Sequence, residues 1–157
     1  MPLTFLGNPI IMQQEYYSLP FVFDFAFDKM MERQEHPKCS LQQSIMQHLH
    51  LLLTTAFGEF PGETGFGCSI WDNDFDNLTS PHKTKELIRQ SLLQSIKEHE
   101  KRLGNVRVEL IIRQEELPDG NGIRVKKRIE ITITGTIQLT NEKFGYKDSF
   151  FIGPLSY

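Results

Sequence analysis

The stretch from Lys85 to Ile112 constrains this chain most, because its hydrophobic period changes once and abruptly. In KELIRQSLLQSIKEHEKRL, residues Ile88, Leu92, Ile96, His99 and Leu103 recur at three- and four-residue spacing. That spacing predicts a helix with one apolar stripe. From Val106 the period becomes two: Val106, Val108, Leu110 and Ile112 point one way, Arg107, Glu109 and Arg113 the other. Gly104 and Asn105 tolerate the left-handed conformation that ends helices, so the helix is expected to stop near Leu103. Glu100 sits only about 40° around the helix from Ile96, at the border of the buried stripe. A carboxylate there needs a partner, since an unpaired buried charge is costly, and His99 and Arg102 are the nearest candidates.

The flanking chain supplies the rest of the fold. Ser40 followed by Gln43 has capping-box spacing and opens a helix whose inner stripe is Leu41, Ile45, Leu49, Leu52 and Ala56, with His48 beside it. His48 and His50 project to different sides and cannot chelate one metal. After the long helix, strands are expected over Val106 to about Gln114, Ile123 to about Leu139, and Lys147 to Ile152. Leu117-Pro118-Asp119-Gly120-Asn121-Gly122 gives the first turn and Asn141 to Gly145 the second. Gly135, inside the β-branched run ITITGTI, marks a bulge or a close backbone approach. The expected class is α+β, with two main helices packed on a small three-stranded antiparallel sheet.

Before Ser40 the pattern differs. Residues 1–39 read as an N-terminal arm with a Phe-rich segment, and 40–157 as the folded domain. Phe21, Phe23, Phe25 and Phe27 alternate, which fits either a strand covering the core or an apolar surface for another subunit. A short helical turn is expected over Lys29 to Glu35.

Composition excludes several classes. The net charge of −3 does not favour non-specific nucleic-acid binding. No basic region followed by an apolar core opens the chain, and no apolar run is long enough for a membrane span, so neither a signal peptide nor membrane insertion is expected. Cys39 and Cys68 lack metal-ligand spacing, and a reduced, cytosolic chain is the expectation. No cofactor or metal is expected.

The connection FGEFPGETGFGCSIWDNDFDNL holds three tempting motifs. Gly62, Gly65 and Gly67 lack the Gly-Lys-Ser/Thr of a phosphate loop. Asp72, Asp74 and Asp76 open like a calcium loop, but Asn77 replaces the turn glycine and Lys83 the bidentate glutamate. Glu59 and Glu63 could be a glycosidase pair, although any acidic loop offers such pairs. Phe57, Phe60, Phe66, Ile70, Trp71 and Phe75 predict a packed connection.

SLQQSIMQHLHLLLTTAFGEF, FGCSIWDNDFDNL, HEKRLGNVRVEL and RIEITITGTI together resemble the baseplate wedge proteins of contractile injection machines. That family includes TssE of type VI secretion and the small phage baseplate protein once called a tail lysozyme, and the loop resembles the Bacteroidetes-type branch. The resemblance covers about Ser40 to Ile152. The family's helix typically ends Glu-Pro-Arg-Leu before a strand beginning Val-x-Val, where this chain has Glu100, Lys101, Arg102 and Leu103 followed by Val106 and Val108. Lysine in place of proline is the departure, and it bears on the rigidity of the helix end.

What the resemblance implies is structural work. TssF-, TssG- and TssK-like subunits would be partners in the wedge, and TssB- and TssC-like sheath subunits would add strands to the sheet, at a cytoplasmic baseplate docked on an inner membrane complex. Glu100, Lys101 and Arg102 would then support attachment to the wedge, or Glu100 and Arg102 would form a local salt bridge closing the helix. Arg124, Lys126 and Arg128 either form a solvated face or steer an acidic partner strand. A peptidoglycan glycosidase and an adaptor binding a regulatory protein are the alternatives.

Overall fold

The computed structural model describes residues 15–20, 36–71, 81–119 and 122–152. The Phe-rich segment from Phe21, the expected turn at 29–35, the aspartates at 72–76 and the tip of the first hairpin at 120–121 lie outside the described residues. Two compact units divide at Ser44 and Ile45.

In the first unit, β1 (Tyr16–Tyr17) pairs antiparallel with β2 (Lys38–Cys39). Ser18 N–H donates to Pro37 O at 2.9 Å, and Lys38 pairs with Glu15 at 2.7 Å. The capping box forms reciprocally at the start of α1 (Leu41–Thr54): Gln43 N–H donates to Ser40 Oγ at 3.2 Å and Ser40 N–H to Gln43 Oε1 at 3.1 Å. Two otherwise orphaned donors of the first turn are thereby satisfied.

The second unit holds the core. Ile45, Leu49, Leu52 and Leu53 of α1 are buried, as are Ile88, Leu92 and Ile96 of α2 (Pro81–His99). The sheet runs β3-β4-β5, all antiparallel: β3 (Leu103–Asp119), β4 (Gly122–Ile137) and β5 (Lys143–Ile152). Its inner face buries Val108 and Leu110 of β3, Ile129, Ile131, Ile133 and Ile137 of β4, and Phe144, Tyr146 and Ile152 of β5. The period-two alternation thus becomes one apolar face, each fully buried Ile or Leu contributing roughly 1.5–3 kcal/mol.

The helix-to-strand junction corrects the expected boundary. The helix ends at His99, and the strand starts at Leu103, not Val106. Gly104 and Asn105 therefore do not terminate the helix. They belong to β3, where the register breaks between Gly104 and Arg107 and Asn105 adopts φ 51°. Asn105 and Val106 together face Gly135, the two-against-one arrangement of a β-bulge. A Cβ on Gly135 would meet Gly104 O at 3.0 Å, so glycine there permits the close backbone approach its place in ITITGTI suggested.

The connection after α1 is bonded to both helices, but its aromatics are less buried than expected. Cys68 N–H donates to Thr55 O at 3.0 Å, Trp71 Nε1–H to Leu53 O at 2.8 Å, and the buried Ser95 hydroxyl to Gly67 O at 2.6 Å. Gly67 has φ 123°, and a Cβ would lie 2.6 Å from Thr55 O, so only glycine fits this crossing. Ile70 is buried, whereas Phe57, Phe60 and Trp71 remain exposed. Hydrogen bonds to backbone carbonyls, together with the buried Cys68 and Ile70, hold this segment.

Candidate assembly interface

Glu100 is the one charged residue fully buried among the described residues, at 1% exposure. Its N–H completes the last helical turn by donating to Ile96 O at 2.8 Å, so its carboxylate sits at a helix C-terminus. The helix dipole opposes a negative charge there. The sequence answers with Arg102, whose Nε donates to Glu100 Oε1 at 2.8 Å and whose Nη2 donates to Oε2. The Arg102 backbone N–H adds a third donor at 3.1 Å. This fork matches the planar guanidinium to both carboxylate oxygens.

The fourth partner is remote in sequence. His48 Nδ1 lies 2.8 Å from Glu100 Oε2. His99, one of the two sequence candidates, turns elsewhere: its Nε2 is 3.1 Å from Gly65 O. Burial alone would raise the Glu100 pKa, but the hydrogen bonds from Arg102 and His48 and the Arg102 charge outweigh it and hold the carboxyl at about 2. Arg102 is itself fixed, since its C=O accepts from Gln138 N–H at 2.9 Å. Lys101 between them is exposed and donates from Nζ to Lys97 O at 3.0 Å, satisfying a carbonyl of the final helical turn. The junction is thus tied down with lysine in place of the proline typical of the family it resembles.

His48 also lines an open groove with Leu51, Thr55, Glu59, Phe60 and Phe66. Phe66 stands 5.8 Å from His48, 5.3 Å from His99 and 6.2 Å from Phe60, ring centre to ring centre. Sequence reasoning placed His48 beside the inner stripe but missed its link to Glu100. A polar residue on the edge of an apolar stripe was the available signal.

The basic residues of β4 lie apart from this junction. Arg128 is nine positions along β4 from Ile137, the partner of Leu103 at the junction, about 30 Å at the usual strand rise. Its Nη1 donates to Glu115 at 3.2 Å and its Nη2 to Ser149 Oγ at 3.1 Å, while its guanidinium carbon sits 5.7 Å from the Phe151 ring centre. Lys126 is exposed, with Nζ 6.0 Å from the same ring. Arg124 pairs with Leu117 in the β3–β4 ladder, and its side chain is outside those described.

A sequence model of the family described as baseplate wedge protein gp25 matches residues 39–142. The chain belongs to that family. The match spans α1, the loop, the Glu100 junction and most of the sheet, so the junction lies inside the family's shared region and the wedge family's role in the baseplate is structural. Among solved structures, the chain is similar to a candidate tail lysozyme of Geobacter sulfurreducens, with a TM-score of 0.52 and 24% identity over 75% of this chain and 96% of that one. That likeness establishes the shared α+β fold. No match is found among curated proteins. No helix among the described residues is long and apolar enough to cross a membrane, and no group of three or more potential metal ligands occurs among them.

Proposed function

We propose that this wedge-family protein is a non-enzymatic structural component of a contractile injection machine of the type VI secretion kind. It joins the baseplate wedge to the first sheath ring and nucleates sheath assembly by strand addition. The observation that carries the reading is family membership across residues 39–142, combined with a three-stranded sheet whose β3 and β5 are both edge strands. An open sheet edge is a template for an incoming strand. TssF-, TssG- and TssK-like subunits are the proposed wedge partners and TssB- and TssC-like subunits the sheath partners, at a cytoplasmic baseplate.

At the junction, division of labour follows from burial. Glu100 is internal, while Lys101 is exposed and the Arg102 side chain is 30% exposed. Glu100 therefore orients Arg102, and Lys101 and Arg102 present charge to the wedge. Among the described residues, neither Glu100 nor Glu59 lends support to a glycosidase reading. A general acid needs a raised pKa, and the buried Glu100 is held at about 2. Glu59 has its Oε2 engaged by Ala56 N–H at 2.8 Å.

Co-expression of the full chain with the wedge and sheath subunits of its own gene neighbourhood tests the proposal. The chain should co-purify with both, and Lys101→Glu, which leaves the Glu100–Arg102 pair in place, should weaken recovery of the wedge subunits. Failure to recover either class, together with turnover of purified peptidoglycan, would replace the structural reading with the enzymatic one.

A further inference from the structure

We infer that β5, and not β3, is the edge that receives a partner strand, and that this strand is acidic on the sheet's outer face. The inference rests on the strand-addition reading above and says which edge and which chemistry.

The two edges differ in the continuity of their backbone. On the β3 side the register with β4 is broken at Asn105 and Val106, and it runs on only from Arg107 to Asp119. A bulge twists an edge and interrupts the hydrogen-bonding row that a new strand must match. β5 runs from Lys143 to Ile152 in unbroken register with β4, and α1 meets it from the inner face through His50, which leaves its outer backbone edge uncovered by that contact. Partly open aromatics flank its second half. Phe150 is half-buried, with Trp71 edge-on at 5.7 Å and His50 at 6.4 Å on the inner side, while Phe151 is 48% exposed on the outer side. A strand laid beside β5 would cover apolar surface on both faces.

The edges also differ in charge. On the outer face β3 alternates sign through Arg107, Glu109, Arg113 and Glu115, and the last two pair with Glu130 and Arg128. The outer face of β5 carries Lys143, Gly145, Lys147, Ser149 and Phe151, two lysines and no acid. Neither lysine has an ion-pair partner among the described residues, and both are exposed. Gly145 between them leaves open space where a side chain would stand. Lysines on an edge repel a second β5 and admit a strand of opposite sign, so the same residues exclude self-pairing and select the partner. An acidic strand of another subunit fits, and the β5 of a second copy does not.

The experiment uses the full chain, with amide hydrogen exchange read by NMR and two synthetic peptides as probes, one alternating glutamate with valine and one alternating lysine with valine. The acidic peptide should slow exchange along Lys143 to Ile152 and leave β3 unchanged, and the basic peptide should do neither. The double variant Lys143→Glu, Lys147→Glu should bind the acidic peptide about tenfold more weakly, because facing like charges replace facing opposite charges at two positions. Its native spectrum is checked first. If that variant does not fold, Lys143→Ser with Lys147→Ser should show the same direction of change. Protection along β3 would leave strand addition standing and overturn the edge assignment. Undiminished binding by the variants would overturn the charge selection. No protection at either edge would remove the strand-addition reading together with the inference.

Discussion

His48 and His50 stand two residues apart on α1, and each meets a carboxylate from a distant element, yet the two clusters differ in kind. His48 reaches Glu100, which is 1% exposed and already gripped by Arg102. His50 lies 2.8 Å from Asp148 Oδ2, with the Tyr146 hydroxyl donating to the same oxygen at 2.6 Å, but the His50 side chain is 58% exposed. Tyr146 is buried, and burial together with the neighbouring Asp148 pushes its phenol well above the usual range. For Asp148, burial pulls the pKa upward, and the hydrogen bonds from Tyr146, His50 and Ser149 N–H overcome it, leaving it lowered. Both sites assemble a His and a carboxylate. Solvent access decides whether the charge is structural: water screens the His50 pair and scarcely reaches Glu100.

The largest expected effect follows from removing the grip on Glu100. Arg102→Ala leaves a buried carboxylate without its main counter-charge and should cost about 4 kcal/mol in urea unfolding. A loss below about 1 kcal/mol would put the junction in the same class as the His50 site. Such a variant tests folding, which is why the exposed Lys101 is the better probe of wedge attachment.

Acid should unfold the protein through Glu100 next. Its carboxyl is lowered from 4.5 to about 2 in the folded chain, so its stabilisation is present in full above the unfolded value and is lost as pH falls from about 4.5 toward 2. A shift of that size corresponds to roughly 3 kcal/mol. Glu100→Gln should flatten this limb of the stability–pH curve, and an unchanged limb would show that other carboxylates govern acid unfolding.

Double-mutant cycles sharpen the contrast further. His48→Ala with Glu100→Gln should give a coupling of about 1.5 kcal/mol or more, as befits a hydrogen bond to a buried charge, whereas His50→Ala with Asp148→Asn should give less than about 1 kcal/mol. Equal couplings would erase the distinction drawn from burial. The smallest effect is that of salt. Raising sodium chloride to about 1 M should reduce the His50–Asp148 coupling by a few tenths of a kcal/mol and leave the His48–Glu100 coupling within error.

Much of this was legible in the sequence because periodicity is a local property. The stripes of α1 and α2, the capping box at Ser40 and Gln43, the order of three strands and the special status of Gly135 all follow from neighbours a few residues apart. Glu100 stood out for the same reason, and Arg102 two residues on was a reachable partner. The helix end was misplaced because Gly104 and Asn105 serve a bulge as readily as a helix stop. Which use wins depends on Gly135 in the opposing strand. The loop aromatics were expected to be packed because apolar type alone does not say which side faces water.

What the sequence determined by itself was the set of elements and the residue whose charge needed explaining. The tertiary structure decided which groups share an environment. His48 lies 52 residues from Glu100, and His50 lies 98 residues from Asp148, separations at which no local pattern constrains contact. Only the packing of α1 beside the helix-to-strand junction and β5 shows that one carboxylate is sealed from water and the other is not. Because the strength of a charge interaction depends on how much water surrounds it, that packing fixes what each pair is worth.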